Sequence, residues 1–126
     1  MTTVFDTSAV IAVLRNEPGS EDLVGRFQGG AISAVNVAEI ITHGVRSGIP
    51  AEEIRADFES LKLTVHSFDV AAATATGALA AATRRFGLSL GDRACLALAK
   101  SLGGKAITAD RVWGKLDLGV PIEVFR

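Results

Sequence analysis

Short apolar stretches alternate with helical ones along this chain, and that alternation restricts the fold more than any other feature of the sequence. Thr3 to Phe5 (TVF), Ala31 to Val35 (AISAV), Thr64 to Phe68 (TVHSF) and Lys105 to Thr108 (KAIT) read as strands. Between them lie helical segments: SAVIAVL from Ser8 to Leu14, a helix starting at Asn36, an alanine-rich helix from Asp69 to about Arg85, and RACLALAKSL opened by Gly91 and Asp92. Strands separated by helices of this length predict a parallel sheet with helices packed on its faces, an α/β fold. In that arrangement every strand finishes at the edge where the next helix starts.

Four acidic residues fall at this edge. Asp6 and Asp110 follow strand ends, while Glu39 and Asp92 are expected in first helical turns. Ligands bind open α/β sheets outside the carboxyl ends of the strands, so the four are predicted to share one pocket. Each has a structural explanation as well. Asn36-Val-Ala-Glu39 fits a capping box, and Asp6, Asp92 and Asp110 fit ordinary N-caps, because acids at helix starts complement the dipole. Capping accounts for each residue singly but does not require acids at every such position along one edge.

Carboxylates gathered within a few Å cannot all stay ionised without cations. An all-oxygen donor set with neither a cysteine nor a histidine cluster suits a hard ion, Mg²⁺ or Mn²⁺, which keeps several waters and is often completed by a substrate phosphate. Two such ions about 4 Å apart would serve in-line phosphoryl displacement, which makes phosphodiester hydrolysis the expected reaction.

At 126 residues the chain is expected to be a single domain over 1–126, burying roughly two thirds of the surface its unfolded chain exposes. No apolar run is long enough for a membrane span, and MTTVFD lacks a basic region followed by an apolar one, so a soluble, cytoplasmic protein is expected. The single cysteine, Cys95, has no internal partner and reads as a small core residue. The net charge of −1 conceals an asymmetry: residues 1–63 carry five basic and nine acidic side chains, residues 64–126 eight basic and five acidic. A cationic rim of Arg84, Arg85, Arg93, Lys100, Lys105, Arg111 and Lys115 beside the acids would suit a polyanion, although charge counts alone favour a solvated surface.

VFDTSAVIAVLRNEPG, ISAVNVAEI and LSLGDRACLALAKSLGGKAITADRVW together resemble PIN-domain ribonucleases, and more narrowly the VapC toxins of bacterial toxin–antitoxin pairs. The resemblance covers nearly the whole chain. It implies a PIN-like three-layer α/β/α fold with a central parallel sheet, and Mg²⁺- or Mn²⁺-dependent cleavage of RNA. It further implies catalytic, metal-binding acids at Asp6, Glu39, Asp92 and Asp110. The partners implied are an RNA substrate, with tRNA and rRNA as candidates, a cognate antitoxin whose tail lies in a groove, and a second copy of the chain in a homodimer.

Ser8 and Thr108 match hydroxyl positions of the family's motifs. They would orient a carboxylate or metal-bound water, or else serve as cap or turn hydroxyls. Asn36 would contact substrate or a carboxylate, with helix capping as its other role. Asp117 is a weakly supported fifth acid, and Trp113 reads as core. His43 follows Glu39 by four residues and so shares its helical face. The early segments AVIAVLRNE and EDLVGRF, with Val24 and Phe27, are expected to line a groove for a partner. A haloacid-dehalogenase-type phosphatase would need a second Asp where Ser8 stands. A catalytically idle PIN-fold module binding RNA or protein is the alternative, and its usual sign, a missing acid, is absent here.

Overall fold

The computed structural model describes residues 1–126. In chain order it contains β1 (Thr3–Phe5), α1 (Thr7–Leu14), a 3₁₀ segment (Glu21–Arg26), β2 (Ala31–Ser33), α2 (Ala34–Arg46), α3 (Ala51–Glu59) and β3 (Thr64–His66). There follow α4 (Val70–Ala78), α5 (Ala80–Thr83), a 3₁₀ turn (Arg84–Phe86), α6 (Leu90–Ser101), β4 (Lys105–Thr108), a third 3₁₀ segment (Arg111–Lys115) and β5 (Ile122–Val124). All strand pairings are parallel, in the order β3-β2-β1-β4-β5. The chain grows from β1 to one side through β2 and β3, then crosses to the other through β4 and β5. The boundary between β1 and β4 is therefore the topological switch point, where such sheets open a crevice.

The strand period of two sorts the core onto the two faces. Val4, Ala31 and Ala106 point to one side, where they pack with Cys95, Leu96 and Ala99 of α6 and with Trp113. Their neighbours Phe5, Ile32 and Ile107 point to the other, against Ala9 and Val10 of α1, Ile40 of α2, and Ile54 and Phe58 of α3. Helices on both faces of a parallel sheet make the three-layer architecture. Gly44 permits the α2–α3 approach, since a Cβ there would run into the Ile54 side chain. No helix is long and apolar enough to cross a membrane.

Several elements depart from the sequence reading. β2 ends at Ser33 rather than Val35, because Ser33 turns the chain and caps α2, accepting from Val35 N at 3.2 Å. Asn36 is thus inside the helix and does not cap it, and Glu39 lies beyond the first turn. The alanine-rich helix keeps its start at Asp69, which caps α4, but breaks at Leu79 into α4 and α5. α3 and β5 were not anticipated. EDLVGRF forms a 3₁₀ segment, and Phe27 is buried with its ring 4.8 Å from Phe5, so it belongs to the core and does not line a groove. Cys95 and Trp113 are fully buried, as expected of core residues.

Candidate active site at the carboxyl edge of the sheet

Asp6, Glu39, Asp92 and Asp110 all line one open cleft of about 690 Å³ at the switch point, together with Thr7, Ser8, Thr42, His43, Arg46 and Ser89. Each acid arrives on a different element, and the local structure explains its position.

Asp6 ends β1, where its backbone N–H still donates to Ile107 O of β4 at 2.9 Å. It occupies the N-cap position of α1, yet its carboxylate makes no cap hydrogen bond. Instead its Oδ2 accepts from Ser8 Oγ at 2.8 Å and from Thr108 Oγ1 at 2.9 Å. Both hydroxyls are fixed in turn: Ser8 Oγ accepts from Ala109 N and Thr108 Oγ1 from Asp110 N, each at 3.0 Å. Thr108 therefore ties Asp6 to the turn that carries Asp110. Burial pushes the Asp6 carboxyl up to about 6, against the pull of the Ser8 and Thr108 hydrogen bonds and with a smaller push from Asp92.

Asp92 and Asp110 do cap. Asp92 forms a capping box with Ser89, its Oδ2 accepting from Ser89 N at 2.9 Å while its own N–H donates to Ser89 Oγ at 3.2 Å. Asp110 Oδ1 accepts from Val112 N at 3.0 Å at the start of the 3₁₀ segment. Partial burial raises the Asp92 carboxyl above its ordinary value, opposed by the Ser89 bonds and aided by the charges of Glu39 and Asp110.

Glu39 does no capping. Its Oε1 accepts from Thr7 Oγ1 at 2.6 Å and from Asn36 Nδ2 at 3.1 Å. The fully buried Asn36 amide also reaches Thr7 Oγ1 at 3.0 Å and Gly91 O at 3.1 Å, and so joins α1, α2 and α6 behind the carboxylate. A carboxylate and a carbonyl only accept, which fixes the amide orientation and leaves Asn36 Oδ1 buried without a partner. Gly91 provides the room: a Cβ there would collide with the Glu39 carboxylate.

Thr7 and Gly91 were missed in the sequence. Their partner Glu39 lies far along the chain, and no local pattern marks either one. The basic side chains of residues 64–126 stay out of the cleft, in keeping with the solvated surface that charge counts favour. None of Arg84, Arg85, Arg93, Lys100, Lys105, Arg111 or Lys115 lines the cleft, and its one lysine or arginine is Arg46 of α2. Arg93 donates to Thr76 O at 3.1 Å, and Lys105 pairs with Glu123 at 2.8 Å. Asp117 is exposed and outside the cleft. Nor are the acids packed into a closed shell. No three of the His, Cys, Asp and Glu side chains are grouped so as to hold an ion among them.

The sequence matches the PIN domain family over residues 3–118. The chain belongs to the PIN-domain family. No curated protein matches it, but solved structures do. A DNA-bound VapBC from Salmonella typhimurium is 22% identical, with a TM-score of 0.73 and coverage of 98% of this chain and 97% of that one. VapBC-1 from nontypeable Haemophilus influenzae is 19% identical at a TM-score of 0.73, covering 99% and 98%. A toxin–antitoxin complex from Klebsiella pneumoniae is 19% identical at 0.72, covering 94% and 95%. Near-complete coverage of both chains at these identities shows a shared PIN fold.

Proposed function

We propose that this PIN domain, acting as one unit over 1–126, is a VapC-type endoribonuclease toxin that hydrolyses RNA phosphodiester bonds with Mg²⁺ or Mn²⁺. One observation carries the reading: four carboxylates from four separate elements line a single cleft at the switch point of the sheet. Two of them, Asp6 and Glu39, have no capping role to explain them.

The donor chemistry fits a hard ion. Asp6, Asp92, Asp110 and Glu39 offer only oxygens to the cleft they line, the donor type of Mg²⁺, which retains several waters and takes one or two carboxylates directly. When bound, the metal would supply a nucleophilic water near neutral pH and neutralise charge on the phosphoryl oxygens. The protein's own residues do the rest. Ser8 and Thr108 aim Asp6 by donating to its carboxylate, while Thr7 and Asn36 hold Glu39 against α6. Hydrolysis forms a bond from water oxygen to phosphorus as the bond to the leaving ribose oxygen breaks. The water's proton passes to the carboxylates of the cleft, and the leaving oxygen takes one up.

A cognate antitoxin as partner belongs to this reading, and the toxin–antitoxin complex among the similar structures supports it. A homodimer and a cytoplasmic site of action belong to the same reading. The test is induction of the wild-type chain and of Asp92→Asn in a bacterial host, with new RNA ends mapped genome-wide. Ends confined to wild type are expected and would identify the RNA. Identical profiles from two soluble proteins would sink the nuclease and favour the idle binding module.

A further inference from the structure

Resting on that reading, we infer that Arg46 grips the RNA backbone at a phosphate neighbouring the one that is cut, with α2 as the ledge along which the strand lies. Thr42 and His43 lie three and four residues after Glu39, and Arg46 lies four and three residues after them, so the four form one stripe of α2, and all line the cleft. Seven residues of helix separate Glu39 from Arg46 by about 10 Å along the axis, beyond the phosphate at the acids but within reach of an adjacent one.

The charge balance favours such a contact. Four carboxylates and one guanidinium line the cleft, so away from the acids and the cation they would hold, Arg46 is the arginine of the lining that a polyanion meets. Arg46 is exposed and takes part in none of the chain's ion pairs. Its guanidinium donates no hydrogen bond within the protein, which leaves its planar fork free for a phosphate. A second cation stands beside the stripe: Arg15 Nη1 lies 3.3 Å from His43 Nε2. The structural alternative, a cation favoured by the C-terminal dipole of α2, explains why arginine is tolerated in the last turn. It does not explain why this turn opens on the acids.

The test measures binding of a fluorescein-labelled, single-stranded 12-nucleotide RNA of mixed sequence. Ca²⁺ replaces Mg²⁺ so that the strand stays intact, and KCl is varied. Arg46→Gln is expected to weaken binding roughly fivefold and to reduce the slope of log K against log salt by about 0.7, the signature of one lost phosphate contact on a single strand. Arg46→Lys should restore the slope, and circular dichroism should be unchanged in both. An Arg46→Gln slope and affinity equal to wild type would overturn the proposal. If wild type neither binds this RNA nor produces new RNA ends in cells, the nuclease reading falls, and this inference with it.

Discussion

Two carboxylates on this sheet have opposite surroundings. Glu123 on β5 accepts from both guanidinium nitrogens of Arg26, at 2.7 and 3.0 Å, and from Lys105 Nζ at 2.8 Å. These hydrogen bonds and charges hold its carboxyl down at about 2. Asp6, at the end of β1, is buried with the Ser8 and Thr108 hydroxyls as its side-chain donors and another carboxylate nearby, and its carboxyl is pushed up to about 6. Glu123 has its countercharges within the chain, whereas the Ser8 and Thr108 hydroxyls that hold Asp6 carry no charge. Self-sufficiency marks a structural ion cluster. A buried charge without a countercharge marks a site that keeps part of its stability in reserve for a ligand.

Removing a cleft acid should break the contrast most sharply. Asp6→Asn or Asp92→Asn is expected to lower the RNA cleavage rate by ~100-fold or more, beyond the 10–100-fold typical of losing a group that merely orients a metal ligand. Glu123→Gln, by comparison, should leave the rate within about twofold and cost about 1 kcal/mol of stability, as for charge clusters that solvent still screens. Equal cleavage rates for Asp6→Asn and Glu123→Gln would erase the distinction.

Gly91→Ala comes next. The added methyl displaces the Glu39 carboxylate from Thr7 and Asn36 without replacing any acid, so cleavage should fall roughly 10-fold to 100-fold while the fold persists. Wild-type rates in Gly91→Ala would show that the seat of Glu39 has no bearing on activity. Mg²⁺ should then stabilise wild type, by about 2.7 kcal/mol at 100 times its dissociation constant, read as a higher melting temperature, and stabilise Asp6→Asn much less. A melting-temperature shift of equal size in wild type and Asp6→Asn would place the ion elsewhere.

Legibility in the sequence followed the range of the signal. Four strands, their parallel arrangement and the edge carrying Asp6, Asp92 and Asp110 were readable, because strand ends and helix starts are local patterns. Glu39 was found for an imperfect reason: Asn36-Val-Ala-Glu39 looks like a capping box, yet Ser33 caps the helix one turn earlier and Asn36 turns inward. β5 was missed because three half-buried residues after Pro121 carry no periodicity. α3 was missed although Ile54 and Phe58, four apart, and Glu52 and Glu53 in its first turn mark it. Arg46 went unnoticed because half-chain charge sums pointed to the other end, while the fold sets this arginine of an acidic half beside the acids. The Thr7–Asn36–Glu39–Gly91 cluster depends on three helices meeting, which no single stretch encodes.

The smallest effect, and the most direct reading of the contrast, lies in how stability varies with pH when EDTA removes divalent ions. Asp6 binds its proton more tightly folded than unfolded, at about 6 against 3.8, so its burial costs nothing at pH below 3.8 and its full penalty above about 6. That penalty is about 3 kcal/mol from the shift alone. Asp92 is raised as well and acts in the same direction. Glu123 has the opposite sign: its folded value of about 2 lies below the ordinary 4.5, so its contribution is present above about 4.5 and is lost as pH falls toward 2. The metal-free melting temperature should therefore peak between about pH 4 and 5 and decline on both sides. Asp6→Asn should flatten only the decline toward neutral pH, and Glu123→Gln only the decline toward acid. Mg²⁺ should restore the neutral side in wild type, because the ion supplies the countercharge that Arg26 and Lys105 supply to Glu123. Identical profiles for wild type and Asp6→Asn between pH 4 and 7 in EDTA would mean that the cleft holds no such reserve.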